Sequence, residues 1–345
     1  MVFVAAAKRR NKICLIIQKG NGDLFMLIKN FKYISFFYLL FFILLPFQAY
    51  SGCFSTAYKV EKVYVAGERI VSVMYHLGIV PEYWSGRKAD WNKAEYIEAG
   101  SNFRGCVKGL VGPKKEIAKK FVQGLKDYPV LVEAVETPDL FIPSLTPEKI
   151  SSTIQEFGKK PLVIDFTKGI EHAVMETGKY FGLEDKAKSK ILFYKKSLKR
   201  AMKQIEQAPK NKKVVIFSGI YQDDTGKAFV RAELSNGYSD KYILSLADAK
   251  NCNSNFFTKE EIKDASGGYI IVRKKKIREI LLSKPDLVIA TGDSFAVENE
   301  IYKALSSKEQ KQINLKIFSL PSYKDADPLA YPSVIMKWAS ALKAG

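Results

Sequence analysis

From about Glu61 onward the chain alternates two kinds of segment. Short runs rich in β-branched residues read as buried strands: KVYVA (62–66), PLVIDF (161–166), KKVVIFSGI (212–220), KPDLVIA (284–290) and LKIFSL (315–320). Longer stretches between them carry apolar residues at helical spacing. ERIVSVMYHLG (68–78) predicts a helix closed by Gly78, and TPEKISSTIQEFG (146–158) predicts one with Thr146 as N-cap, Pro147 at the first helical position and Gly158 at the stop. A terminal helix is expected from about Pro328 to Leu342. Strand–helix alternation of this kind implies parallel βαβ units with helices packed on a sheet.

One segment breaks the rhythm. Between Glu184 and Ala208, EDKAKSKILFYKKSLKRAMKQIEQA contains neither Gly nor Pro, and Ile191, Leu192, Tyr194, Leu198, Met202 and Ile205 fall at helical spacing. Such a helix runs about 35 Å at ~1.5 Å per residue, long for a crossover and suited to bridging two lobes. Pro209 ends it. On either side stands a copy of one phrase, TPDLFIPS at 137–144 and KPDLVIAT at 284–291. Each follows an apolar stretch and launches a strand. The pattern predicts an α/β chain of two Rossmann-like lobes with mainly parallel sheets, joined by one long spine helix. The expected divisions are a lobe over 60–183, the spine over 184–209 and a second lobe over 210–345. In open parallel sheets ligands bind beyond the carboxyl ends of the strands, so the loops after the two Pro-Asp-Leu strands should face a common cleft.

The start of the chain stands outside this scheme. Ile34–Phe47, ISFFYLLFFILLPF, is apolar but for Ser35, is preceded by Lys29 and Lys32, and is followed by QAYSGC. It is shorter than the roughly 20 apolar residues that span a bilayer. A basic flank, a short apolar run and small residues after it describe a secretory leader, here residues 1–52. Cleavage after Ser51, lipidation of Cys53 and retention as an anchor are the three outcomes; Tyr50 makes a poor lipobox. Met26 offers a more regular basic start than Met1, which would leave residues 1–25 untranslated.

The formal charge is +19 over 345 residues. The leader holds seven Lys/Arg and one Asp, a net +6, so the remainder keeps +13. The basic residues are dispersed in helical-looking segments: KKEIAKK (114–120), KKSLKR (195–200) and RKKKIR (273–278). No nucleic-acid motif accompanies them, so an anionic ligand or an anionic membrane surface suits the charge better than nucleic acid. Cys14 leaves with the leader and Cys53 stands at its boundary, so Cys106 and Cys252 are the pair that matters; an oxidising compartment permits a disulfide, and two lone thiols are the alternative. Cys106, in RGCVKG, is also a conceivable soft metal ligand. Only His76 and His172 are present, both in helical stretches. A bare zinc or manganese ion usually draws several His and carboxylates into one site, so such a site is not expected.

In the order of its motifs, the chain resembles the substrate-binding proteins of metal-chelate ABC importers, which handle ferric siderophores, haem and cobalamin. The resemblance covers essentially all of 60–345. It rests on AGERIVSVMYHLG, PDLFIPS, VIDFT, the single spine helix, KKVVIFSG, PDLVIATGDS and the ending PSYKDADPLAYPSVIMKWASAL. It implies an exported, monomeric, periplasmic or membrane-surface protein that is not an enzyme. Such a protein carries no cofactor of its own, captures a metal chelate between its lobes and delivers it to a membrane permease. Family members dock through one acid per lobe about seven residues before the Pro of Pro-Asp-Leu. Those positions hold Leu131 and Arg278 here, and the nearest acids are Glu133 and Glu279.

Candidate ligand contacts lie where strands end. Gly67, Glu68 and Arg69 begin the first helix, where free N–H groups and the helix dipole favour an anion. The segment PEYWSGRKADW (81–91), read as a loop, combines Trp84, Arg87, Lys88 and Trp91, suited to a large flat or anionic chelate. In the second lobe Tyr221 follows its strand, with Asp223 and Asp224. Arg231 and Tyr238 come next, Asp293 and Ser294 follow PDLVI, and Tyr323 follows LKIFSLPS. Two alternatives stay open: an oxyanion (molybdate or tungstate) binder of the same fold, and, more remotely, a two-lobed enzyme such as a metal chelatase. A chelatase would need a His-rich cleft, which this chain lacks.

Overall fold

The computed structural model describes residues 3–9, 12–19, 22–28, 58–86, 100–105, 110, 114–134, 147–222, 225–235, 237–265, 268–313, 316–322 and 327–345. The chain divides into two units, Met1–Ala57 and Tyr58–Gly345. In the first, β1 (Phe3–Arg9), β2 (Lys12–Lys19) and β3 (Gly22–Ile28) form an antiparallel sheet. The apolar run Ile34–Phe47 and Cys53 lie outside the described residues. Among those described, no helix is long and apolar enough to cross a membrane.

The second unit is a self-contained body with its own hydrophobic cores. Its first sheet is parallel throughout, in the order β6-β5-β4-β7-β8. These strands are β4 (Lys59–Ala66), β5 (Ile79–Ser85), β6 (Asn102–Phe103), β7 (Val130–Ala134) and β8 (Pro161–Asp165). Among the described residues, α1 (Glu68–His76), α2 (Lys115–Gly124), α3 (Pro147–Glu156) and α4 (Ile170–Tyr180) accompany it. Alternation along β4 decides what each face buries. Val63 and Val65 join Ile70, Val73 and Met74 of α1 and Ala173 and Val174 of α4 in one core, while Tyr64 and Ala66 join Val122, Ile150, Ile154 and Phe157 in another. A strand packed on both faces reads as a continuous apolar run, which is how KVYVA announces itself.

The long helix α5 spans Glu184–Glu206. Ala187, Tyr194, Ala201 and Ile205 are its buried line. Ala187 belongs to the first lobe's core, and Ala201 and Ile205 to the second lobe's. Leu192, read from the sequence as part of the apolar stripe, is instead 70% exposed; it falls on the far side of the helix from that line.

After α5 come β9 (Lys213–Gln222), β10 (Lys227–Glu233), the one-turn helix α6 (Tyr238–Tyr242), β11 (Lys250–Asn251), α7 (Lys259–Lys263) and β12 (Tyr269–Ile271). Then follow α8 (Lys274–Leu282), β13 (Leu287–Gly292), α9 (Ser294–Ala304), α10 (Ser307–Ile313), β14 (Ile317–Ser319) and α11 (Tyr331–Ala344). The second sheet runs β12-β10-β9-β13-β14, with β11 beside the start of β9. Strands β9, β13 and β14 are parallel, whereas β10 and β12 form an antiparallel edge. Again the faces divide: Val214, Ile216, Leu287 and Ile289 pack with α5 and α11, and Val215, Phe217, Val288 and Ala290 with α8 and α9.

The second Pro-Asp-Leu now has a physical reason. Lys284 sits in the left-handed region (φ 54°) after α8, and Pro285 cannot continue a helix. Asp286 donates its N–H to the Lys213 carbonyl (2.9 Å) and accepts the Lys213 N–H through Oδ2 (2.7 Å), which aligns the starts of β9 and β13. The first copy lies outside the described residues.

The C-terminal segment closes the structure. Trp338 of α11 is fully buried and donates Nε1–H to the Pro321 carbonyl (3.0 Å). Leu329 returns to pack on the first lobe's core, and Asp327 bonds His76 at the end of α1. Burial would raise the Asp327 carboxyl, but the His76 contact and the Leu329 N–H (2.9 Å) outweigh it and hold the group below the usual aspartate range. A depressed carboxyl stabilises the fold above its unfolded value, and that contribution is lost as pH falls through the folded value. Asp327→Ala should therefore cost about 1–3 kcal/mol in urea unfolding at neutral pH. The difference from the parent protein should shrink as the buffer is acidified.

Candidate functional site

The sequence placed the candidate contacts at the carboxyl ends of the two sets of parallel strands. In the first lobe, β4 ends at Ala66 and the chain turns through Gly67 into α1. Gly67 has φ 144°, and its N–H bonds the Ser85 carbonyl at the end of β5 (2.9 Å). The start of α1 was read as an anion site, but it receives the chain's own carboxylate. Glu133, on β7, accepts the Arg69 backbone N–H through Oε2 (2.7 Å), and its Oε1 lies 3.6 Å from the Arg69 guanidinium Nε. Gly67 makes room for it: a Cβ there would stand 2.3 Å from the Glu133 Cβ. The reading of Glu133 as a permease-docking acid falls with this geometry, because the side chain is 9% exposed and engaged inside the lobe. Glu68 stays half-buried beside Gly86.

Trp84 also changes role. Residues 79–85 form strand β5 and not a loop, and strand alternation turns Trp84 inward. It is 2% exposed and packs on Phe103, with ring centroids 4.7 Å apart. It is a core residue, so Trp84→Ala would test packing and not ligand contact. Arg87, Lys88, Trp91, Cys106, Asp223, Asp224 and Tyr323 lie outside the described residues.

The second lobe's edge is built on β9 and β13. Strands β9 and β13 end side by side, with Ser218 opposite Thr291 and Gly219 opposite Gly292. The two glycines let the backbones converge: Asp293 donates its N–H to the Gly219 carbonyl (3.0 Å), and a Cβ on Gly219 would meet the Asp293 carbonyl oxygen at 2.0 Å. Asp293 then caps α9, accepting the Ala296 N–H (3.1 Å). Its expected place at a strand end is thus filled by a capping carboxylate. Ser294 opens α9 beside it.

Around this edge stand Tyr221, 54% exposed at the end of β9, and Phe295, 79% exposed on the first turn of α9. Phe295 was missed from sequence. Its signal was an aromatic residue directly after a strand-end Gly-Asp-Ser, in a position that reads as an ordinary helix residue. Arg231 lies opposite Ser218 on the neighbouring strand β10, its Nε and Nη2 each 3.4 Å from the Ser218 hydroxyl oxygen. Its guanidinium covers the Tyr269 ring at 4.1 Å. Tyr238 is 8% exposed and stacked on Tyr242 (6.2 Å), so it faces the lobe interior.

Behind Arg231 the strand buries a carboxyl. Glu233 is 1% exposed, accepts the Ser239 N–H (2.7 Å) and hydroxyl (2.9 Å), and receives the Tyr269 hydroxyl at 3.4 Å. Burial pushes its pKa up to about 7, although those hydrogen bonds pull the other way. Glu279 of α8 is half-exposed and paired with Lys276 (2.9 Å). His172 faces Glu176 one turn along α4, Nε2 to Oε2 3.3 Å, and His76 is held by Asp327. Cys252 is a free thiol whose pKa burial raises, the opposite of an activated nucleophile. Among the described residues no three His, Cys, Asp or Glu side chains come together as a metal site.

No family model matches this sequence, and no curated protein does. Solved structures do match in fold. The periplasmic heme-binding protein RhuT from Roseiflexus sp. RS-1, in apo form, superposes with a TM-score of 0.52 at 10% identity, over 82% of this chain and 98% of that one. The periplasmic heme-binding protein BhuT, in complex with two hemes, gives 0.53 at 12% identity over 83% and 98%. The siderophore periplasmic binding protein from the fuscachelin gene cluster of Thermobifida fusca gives 0.50 at 14% identity over 82% and 97%. The chain therefore has the fold of the heme- and siderophore-binding periplasmic proteins, the class its motifs resembled.

Two substitutions test the geometry of these edges. Gly67→Ala should destabilise the first lobe by more than 1 kcal/mol in denaturant, because the side chain meets both an unfavourable φ and Glu133. For Glu233 the sign is the reverse of the Asp327 case. A carboxyl raised in the folded state stabilises most below its unfolded value, and that contribution is lost as pH rises through about 7. Thermal scans should show stability falling by up to about 3 kcal/mol across that window. Glu233→Gln should flatten the slope.

Proposed function

We propose that this chain is the exported substrate-binding protein of an ABC importer, holding a metal chelate of the siderophore, haem or cobalamin class between its lobes for a membrane permease. What supports the reading most is the second lobe's strand-end edge. Tyr221 and Phe295 stand exposed there, at the end of β9 and on the first turn of α9. Exposed aromatic faces at a strand end suit a large ligand with an apolar body. The matched fold supports the same class, because the proteins that share it are named for heme and siderophore binding.

In this reading the protein binds and releases, and performs no reaction. Tyr221 and Phe295 supply stacking surface; Arg231, expected from the sequence as a ligand contact, points with Ser218 to the other face of the sheet. Gly67, Glu68 and Arg69 shape the first edge, Asp293 holds α9 in place, and Arg87, Trp91 and Tyr323 are further ligand contacts proposed from their sequence positions alone. Glu279 is the acid proposed to meet the permease from the second lobe. The molybdate or tungstate alternative loses support at one point: the first helix N-terminus, where an oxyanion would sit, is taken by Glu133.

A thermal-shift panel on residues 58–345 with haem, ferric siderophores, cobalamin, molybdate and tungstate tests the reading. A ligand at ~100 times its dissociation constant adds about 2.7 kcal/mol of stability. A shift with one chelate, reduced at least tenfold in affinity by Phe295→Ser or Tyr221→Ser, is the expected result. Stabilisation by an oxyanion alone would replace the chelate with the alternative ligand.

A further inference from the structure

The outer face of the spine helix is the most unusual surface of the second unit. Leu192 and Phe193 are 70% and 71% exposed, side by side in the middle of α5. With Ala187, Tyr194, Ala201 and Ile205 as the inward line, about 100° per residue places Lys196 nearly opposite, with Leu192 and Phe193 on either side of it. Lys199, Arg200 and Lys203 continue that exposed face.

No acid occurs between Lys186 and Lys203. Two lysines of this helix are paired, Lys188 with Asp185 (3.0 Å) and Lys195 with Glu171 (2.8 Å). Lys196, Lys199, Arg200 and Lys203 have no ion pair among the described residues. Two large apolar side chains held at a surface otherwise given to cations are not explained by packing of the lobes, whose cores take the opposite side of the helix.

We propose that this face of α5 docks on an anionic phospholipid surface, with Leu192 and Phe193 entering the headgroup boundary and Lys196, Lys199, Arg200 and Lys203 meeting lipid phosphates. The pattern is that of an interfacial helix, cationic with bulky apolar residues and too polar to insert. A symmetric pairing of two copies would also cover Leu192 and Phe193, but it would bring two rows of cations together, a repulsion that an anionic bilayer reverses into attraction. This docking does not depend on the ligand reading, since the face lies on the spine and not at the strand ends.

Vesicle sedimentation with residues 58–345, which form their own unit, tests it. The protein should bind vesicles containing about one-third phosphatidylglycerol, ignore pure phosphatidylcholine, and come off as salt rises. Each cation near such a surface is worth about fivefold in affinity, so Lys196→Glu with Arg200→Glu should weaken binding at least tenfold. Leu192→Ser with Phe193→Ser should also weaken it several-fold. The exposed pair Lys274→Glu with Lys275→Glu, on α8, controls for charge alone and should have a clearly smaller effect; circular dichroism checks that all variants fold. Three outcomes would overturn the proposal: no binding to phosphatidylglycerol vesicles, equal loss in the α8 control, or binding untouched by the Leu192/Phe193 change. A dimer by light scattering that Leu192→Ser with Phe193→Ser dissolves, without vesicle binding, would assign the face to a second copy instead.

Discussion

The two lobes share one helix, and its packing is the constraint on which the rest of the second unit depends. Ala187 reaches the first core, Ala201 and Ile205 the second, and the same rigid rod carries all three. The approach of α4 is tight: a Cβ on Gly178 would stand 2.5 Å from the Ala187 Cβ, so small residues on both helices set their spacing. α11 packs along the other half of α5 and brings Trp338 into the second core. A continuous helix of this kind has no loop residue to absorb a large change in φ and ψ, so hinge bending through the spine is disfavoured. The link from Asp327 to His76, with Leu329 in the first core, adds a second tie between the C-terminal segment and the first lobe.

That rigidity divides the work between the strand ends. The first lobe spends its helix N-terminus on its own Glu133, which neutralises the helix dipole and the Arg69 side chain internally. The second lobe leaves Tyr221 and Phe295 exposed at its strand ends, where Gly219 and Gly292 let the backbones of β9 and β13 converge. The Arg231–Tyr269–Glu233–Ser239 chain of contacts fixes the guanidinium, and burial raises the Glu233 carboxyl within it to about 7.

The sequence by itself determined the parts governed by local chain chemistry. Buried parallel strands are apolar on both faces, so KVYVA, KKVVIFSGI and KPDLVIA could be read directly. The spine helix was equally plain, because 23 helical residues, Glu184–Glu206, hold neither Gly nor Pro. β5 was missed because Pro81 and Gly86 give a strand the look of a loop, and Trp84 was given to a ligand for the same reason. The antiparallel edge of β10 and β12 left no separate signature in short runs such as YII. Only the tertiary structure decided the rest. Whether a helix N-terminus is open or filled depends on Glu133, 64 residues away from Arg69 in sequence. Whether an apolar residue of α5 points inward or outward depends on which face the two cores claim. Local pattern fixes what each segment can bury; long-range contact fixes which polar groups remain for a partner.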